Sequence, residues 1–429
     1  MFSLLPAAVI TSFKSMTILS RFSASKASSS HSWLLLIVFS FLFMSSFSSA
    51  AVQVIPKGYN KGGDNNGKDT QLSEAKLKAN YKKALTSYRK QLRGIWPDAE
   101  VSGTTRSVFY AQDFSEKQAI DFKANEIQIT MPSIRKDKNL DYKAMKKKLH
   151  KTIKELLSMD LKTAIENDPI NKRMEQLSGI RYAQDLGAMG RDLILGELFR
   201  NERPTIKAVE RMANKLTKAA YIRYPAVASI GDLAFAFNDR TTYIVALPKK
   251  RIRNKAKRYK PFIYDYAQKY SLPPSLVFAI IHAESSFNPL ARSQAPAFGL
   301  MQIMPHTAGK DATKLIYKKR KVLSPSYLYN PKKNVQVGAA YFHILYYRYL
   351  KGITDSKARL YCAIAAYNAG TSSVMKTLTG LGSISKAVSS INRMQSNEVL
   401  RKLVRQMPSA ETRDYLNKVL NLQKTYAQL

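Results

Sequence analysis

Apolar residues recur at helical spacing from Leu72 to Trp96, where Leu77, Tyr81, Leu85 and Tyr88 fall on one side and mostly polar residues cover the rest. This pattern predicts a helix that ends before Pro97. Thr105 to Tyr110, Gln118 to Phe122 and Glu126 to Met131 are short and β-branched or alternating, which predicts strands of a small antiparallel sheet. Helical spacing resumes near Asp141. Leu140 to Tyr224 reads as a mixed, largely helical region with a weak point at Gly187 to Gly190, and Thr241 to Leu247 predicts a further strand. From Pro261 onward nearly every apolar pattern is helical. Pro273-Pro274-Ser275 opens one helix, because a proline in the first turn lacks only an N–H that has no helical partner there. Asn334 opens another, with Val337, Tyr341, Ile344 and Leu345 on one stripe, and Ala358 to Tyr367 makes a third that stops toward Gly370.

These patterns sort into regions. An α+β amino-terminal domain is expected over residues 71–250 and an all-α domain over 251–429, preceded by a flexible, Gly- and Asn-rich lead over 51–70. The boundary falls in a basic run of Lys249, Lys250, Arg251, Arg253, Lys255, Lys257, Arg258 and Lys260. Such a block reads first as a solvated face, and second as a contact for acidic substrate or membrane phosphate. Residues 1–50 read as a secretory signal. Trp33 to Met44 is apolar except for Ser40, Lys14, Arg21 and Lys26 lie upstream, no acid occurs, and Ser48-Ser49-Ala50 supplies small residues for cleavage. An uncleaved anchor is the alternative. The protein is therefore expected in the periplasm or cell envelope, and no cysteine follows the apolar stretch to carry a lipid.

Charge narrows the partner. The 429 residues carry 69 Lys and Arg against 30 Asp and Glu, a net charge of +39, which suits an acidic polymer or an anionic membrane surface. Nucleic acid fits the charge alone and is set aside by the export signal. Cys362 is the single cysteine, so an internal disulfide and a cysteine-rich metal site are excluded. His31, His150, His282, His306 and His343 show no ligand pairing, so neither a metal nor another cofactor is expected.

The candidate chemistry centres on Glu284. Residues three and four apart share a helix face, so Ile280 and Ile281 place this carboxyl on a buried stripe. Desolvation disfavours the anion, and a carboxylic acid kept protonated near neutrality can donate to a leaving oxygen. The bland alternative pairs Glu284 with one of the many cations. Gly299-Leu300-Met301-Gln302 adds a tight backbone approach and an amide suited to sugar hydroxyls, though it also reads as core packing. Ala366-Tyr367-Asn368-Ala369-Gly370 closes a helix with a phenol and an amide, or is an ordinary glycine stop.

Taken in order, Glu284-Ser285-Ser286-Phe287-Asn288-Pro289, Gly299-Leu300-Met301-Gln302, Ala366-Tyr367-Asn368 and Glu411-Thr412-Arg413 resemble the lytic transglycosylases of the lysozyme superfamily, and among them the membrane-bound type C group. The resemblance covers about residues 262 to 420 and, less specifically, Tyr81 to Met131. It implies a lysozyme-like, goose-type catalytic domain acting on peptidoglycan. Glu284 resembles the single catalytic acid and Ser293 the hydroxyl that contacts it or the substrate. Gln302 and Met304 fall where the family lines its glycan groove, and Tyr367, Asn368 and Glu411 match its remaining binding positions. The implied reaction cleaves the β-1,4 bond between N-acetylmuramic acid and N-acetylglucosamine and leaves a 1,6-anhydro end. No acid follows Glu284 until Asp311, which favours one carboxyl over two. A goose-type hydrolase, in which water attacks, and a non-catalytic peptidoglycan-binding protein are the other readings.

Overall fold

The computed structural model describes residues 74–179, 184–223 and 240–429; the expected signal and the lead lie outside them. Ile127, Ile129 and Met131 alternate inward along β3 (Glu126–Pro132) and are fully buried, as a period of two requires for a sheet with one face on the core. β3 is the middle of a five-stranded antiparallel sheet with β1 (Arg106–Tyr110), β2 (Lys117–Asp121), β6 (Tyr221–Arg223) and β7 (Arg240–Ala246), in the order β1-β2-β3-β7-β6. A separate ribbon pairs β4 (Arg135–Lys136) with β5 (Asn139–Leu140). Register sets Ile127 opposite Ile120 on one side and Val245 on the other. Asp121 closes the β2–β3 turn by accepting from the backbone N–H groups of Lys123 and Ala124, and Asn125 takes the left-handed conformation (φ 61°) that its short side chain tolerates.

α1 (Glu74–Arg93) buries Leu77, Tyr81, Leu85 and Tyr88 as its spacing predicts, and Tyr88 meets the ring of Tyr110 in β1 edge-on at 6.4 Å. The chain then turns Trp96 under the helix, where its indole N–H donates to Phe114 O at 2.9 Å and the Arg240 guanidinium covers the ring at 3.9 Å. α2 (Tyr142–Ser158), α3 (Leu161–Asn167), α4 (Pro169–Ser178) and α5 (Ile206–Ala219) begin where Asp141, Asp160, Asp168 and Thr205 accept first-turn N–H groups. Gly187, at φ 54°, breaks the turn between α4 and α5. β6 was not foreseen. Its three residues show no alternation, and only pairing with β7 makes them a strand.

The second half is helical throughout: α6 (Arg251–Lys269), α7 (Pro274–Ser285), α8 (Ala308–Tyr317), α9 (Pro325–Tyr329), α10 (Pro331–His343), α11 (Ser356–Ala369), α12 (Thr371–Thr379), α13 (Ile384–Ile391), α14 (Ser396–Gln406) and α15 (Ala410–Tyr426). α10 continues as a π-helical segment, Ile344–Tyr349. None of the described helices is long and apolar enough to cross a membrane.

The basic run corrects its first reading, because it is not uniformly a solvated face. It forms the start of α6, and Arg251 and Lys255 are buried onto the equally buried Glu197, at 3.0 and 2.9 Å. Arg251 also bonds Phe122 O and Asn125, and Lys255 bonds Ile194 O. Burial alone would raise the Glu197 pKa, but Lys255 and Arg251 together hold it below the usual carboxylate range. One hydrophobic core therefore continues from the sheet into α6 and α7.

Candidate active site

α7 is apolar on every side, with Leu276 to Ile281 fully buried, because it runs through the middle of the helical half. Its last turn carries Glu284. The chain then leaves through two successive left-handed residues, Ser286 (φ 50°) and Phe287 (φ 64°), an uncommon conformation for side chains other than glycine. Tertiary contacts hold it there. Phe287 is fully buried, and Ser285 Oγ lies 3.0 Å from Ile281 O and 2.9 Å from Leu300 O, tying the helix to the following loop.

That loop is braced from the amino-terminal half. Asn288, fully buried, accepts from Ser107 Oγ at 3.1 Å and donates to Thr104 O. Arg292 pairs with Asp168 at 2.9 Å, and the Tyr81 hydroxyl donates to Ser293 O at 2.8 Å. The α+β half thus fixes the segment that follows the catalytic candidate. No sequence period signals these bonds, since each joins residues far apart in the chain.

Glu284 itself is half-buried. Burial pushes its pKa from 4.5 up to about 7. The Tyr415 phenol pulls it down, the Glu411 carboxylate pushes it up and the Lys418 ammonium pulls it down again. Glu411, Tyr415 and Lys418 recur at helical spacing on α15 and present one stripe to the end of α7. The buried Tyr415 hydroxyl faces the carboxyl and has no other partner among the described residues. Linear distance was a poor guide to neighbouring acids. Asp311, the next acid in the chain, is engaged by the Tyr349 hydroxyl at 2.8 Å and by Arg320, whereas the field acting on Glu284 comes from Glu411.

The glycine-rich turn adopts a specific shape. Gly299 (φ 75°) comes so close to its neighbours that a Cβ there would meet Leu328 O at 2.2 Å and Asn334 Nδ2 at 2.4 Å. Asn334, fully buried, donates to Phe298 O and Leu328 O and accepts from Met301 N, all at 2.8 Å. Gln302 follows at φ 47°. Its Nε2 donates to Gly299 O, while its buried Oε1 has no partner among the described residues.

Tyr367 enters from α11, its hydroxyl donating to Met301 O at 2.9 Å and its ring 5.6 Å from that of Tyr341. Asn368 Oδ1 accepts from Thr412 of the Glu-Thr-Arg triplet at 2.7 Å, so two of the sequence motifs meet. Glu411 is exposed beside them. Met304 is half-buried, its carbonyl accepting from Gly309 N. The Ser293 hydroxyl bonds the Ala295 carbonyl rather than Glu284. Tyr415, Lys418 and Asn334 were missed by sequence reasoning. The first two sit one and two turns beyond Glu411, and that spacing was a usable signal.

Residues 261–388 match the Transglycosylase SLT domain. Over 182 residues the chain is 41% identical to membrane-bound lytic murein transglycosylase C of Serratia proteamaculans (strain 568), covering 42% of this chain and 50% of the relative. It is 40% identical over 187 residues to the protein of the same name from Edwardsiella ictaluri (strain 93-146), covering 43% and 51%. The chain thus spans about half the length of the curated relatives it matches. Among solved structures, the 70-kDa soluble lytic transglycosylase of Escherichia coli is 27% identical, with 40% of this chain and 24% of that one covered and a TM-score of 0.31. The helical half built around Glu284, Gln302 and Tyr367 therefore contains the residues that match the transglycosylase SLT domain, in a chain that resembles the lytic murein transglycosylases.

Proposed function

We propose that this protein cleaves the β-1,4 bond between N-acetylmuramic acid and N-acetylglucosamine in peptidoglycan, with Glu284 as the one group that moves protons. The observation that carries the reading is a half-buried carboxyl whose pKa lies at about 7. Near neutrality both of its protonation states are populated, as a residue acting first as acid and then as base requires. Protonated Glu284 donates to the glycosidic oxygen as the C1–O bond breaks, and the substrate's acetamido group stabilises the charge left at C1. The resulting carboxylate takes the proton of the muramoyl C6 hydroxyl, whose oxygen bonds C1 to give the 1,6-anhydro end.

Gln302, whose Oε1 has no partner among the described residues, is assigned to hold a sugar hydroxyl or acetamido group through its amide, and Tyr367, Asn368, Met304, Ser293 and Glu411 are assigned to the groove around it. A peptidoglycan substrate and an envelope location agree with the name shared by the relatives, membrane-bound lytic murein transglycosylase C. Mass analysis of digested peptidoglycan, wild type beside Glu284→Gln, tests the proposal. Wild type should release fragments one water lighter than hydrolysis gives, and the variant none. Fragments carrying that water would assign the protein to the hydrolases instead.

A further inference from the structure

Positive charge is concentrated on two helices of the amino-terminal half. α2 and α5 carry six and four Lys or Arg, against a single Glu on each, Glu155 and Glu210. The helices lie against each other, where Glu210 is held by Lys154 at 2.8 Å and approached by His150 at 3.1 Å. Each turns an apolar face inward, with Leu149 and Ile153 buried on α2 and Ala213 and Leu216 buried on α5. The opposite sides carry one stripe of exposed cations per helix, Lys143, Lys147 and Lys151 on α2 and Lys207, Arg211 and Lys215 on α5. Of these six only Lys151 has an acidic partner among the described residues, Glu155 at 3.9 Å.

This arrangement works against the helices themselves. Like charges four residues apart repel along a helix, and a cation in the first turn meets the positive end of the helix dipole. Lys143 and Lys207 are the second residues of their helices, and neither first turn holds an acid. Solubility is served by mixed signs, so stripes of one sign kept at a cost in helix stability fit an extended anionic partner. A second observation gives the class of that partner. The first residue of each helix is large, apolar and turned to solvent, Tyr142 at 55% and Ile206 at 80% exposure. A hydrophilic polyanion has no use for such side chains. A phospholipid bilayer meets both needs, with phosphates for the cations and an apolar boundary beneath them for the ring and the aliphatic chain.

We propose that the outer face of α2 and α5 docks this protein on bilayers of anionic phospholipid. The cation stripes lie along the phosphates, and Tyr142 and Ile206 enter the boundary between headgroups and acyl chains. The contact is peripheral, weakens with salt, and requires neither Glu284 nor the apolar stretch near the amino terminus.

Cys362 is the single cysteine and is buried, so a thiol placed at Ile206 can be labelled alone. Full-length Ile206→Cys, carrying an environment-sensitive fluorophore, is mixed with vesicles that hold a quencher at headgroup depth. Phosphatidylglycerol with phosphatidylethanolamine makes the anionic vesicles, and phosphatidylcholine the neutral ones. Only the anionic vesicles should quench the label, and neither should quench the same label on Leu381→Cys, a position 41% exposed in the helical half. Each cation near the surface strengthens binding to an anionic bilayer about fivefold, so Lys143→Gln/Lys147→Gln/Arg211→Gln should raise the lipid concentration at half-quenching about a hundredfold. Tyr142→Ser should raise it too, as loss of an apolar anchor requires. Lys386→Gln/Arg393→Gln/Arg401→Gln, which removes as much charge from the helical half, should leave it unchanged. Equal shifts in the two triple variants overturn the docking face, because net charge alone would then guide binding. Quenching at both label positions or at neither also overturns it. Retention on isolated peptidoglycan without quenching would refute it as well, and would give the face to a wall polymer.

Discussion

Lys418 Nζ donates to the carbonyl oxygen of Ala283 at 2.8 Å, one residue before Glu284. This bond fastens the last helix to the end of the helix that carries the candidate acid, and it sets an ammonium group beside the carboxyl. The proton affinity of Glu284 is thus tuned from α15, by three side chains acting in different directions.

The tuning gives a test of sign. Tyr415 and Lys418 lower the Glu284 pKa and Glu411 raises it. Activity that needs the protonated acid is lost as pH rises through that pKa, at about 7 in wild type. In pH profiles of kcat/KM the alkaline limb should move to higher pH in Tyr415→Phe and Lys418→Met, and to lower pH in Glu411→Gln. A limb that stays in place in all three variants would show that another group titrates.

Stability should follow the same proton. The folded pKa of Glu284 is raised above its unfolded value, so between 4.5 and about 7 the native state binds more protons than the unfolded one. This contribution is fully present below pH 4.5 and is lost as pH rises through 7. Partial exposure of the carboxyl screens the effect, which leaves roughly 2 kcal/mol. Glu284→Gln should therefore gain more in thermal midpoint over wild type at pH 8.5 than at pH 5. Equal gains at both would mean that the carboxyl is solvated in both its states.

Glu197 is the hinge of a different balance. Replacing it by Gln leaves Arg251 and Lys255 buried without their counter-charge, a loss of about 3–5 kcal/mol by comparison with other broken buried pairs. Urea unfolding should show a lower midpoint. A neutral result would indicate that water reaches the cluster.

Gly299→Ala is expected to be more damaging to folding than its size suggests. The added methyl collides with Leu328 O and the Asn334 amide, and the residue must also hold φ 75°. A loss of about 3 kcal/mol or more follows from strain and the displaced, fully buried Asn334 together. Circular dichroism melting beside Gly380→Ala, where φ is also positive but a Cβ meets nothing within 4 Å, separates the clash from the dihedral.

Much of the fold was legible because it rests on local periods. Alternation at Ile127, Ile129 and Met131 marked a strand, the stripe from Leu77 to Tyr88 marked α1, and Pro273-Pro274 marked the start of α7. β6 escaped because a three-residue edge strand is defined by its neighbour and has no pattern of its own. Asn334 escaped because an asparagine near a helix start reads as a cap, whereas here it is the buried centre of the glycine turn.

By itself the chain determined which segments become helix or strand, since backbone geometry converts spacing directly into faces, and it carried the ordered motifs around Glu284, Gln302, Tyr367 and Glu411. Only the tertiary structure decided which charges meet. Arg251 and Lys255 look in sequence like any other members of a basic run, and they become buried partners of Glu197 because α6 packs there. Likewise Glu284 acquires its proton affinity from burial and from a stripe on α15 at the far end of the chain. Desolvation and Coulomb interactions depend on distance and exposure in space, and neither is encoded in the spacing of residues along the backbone.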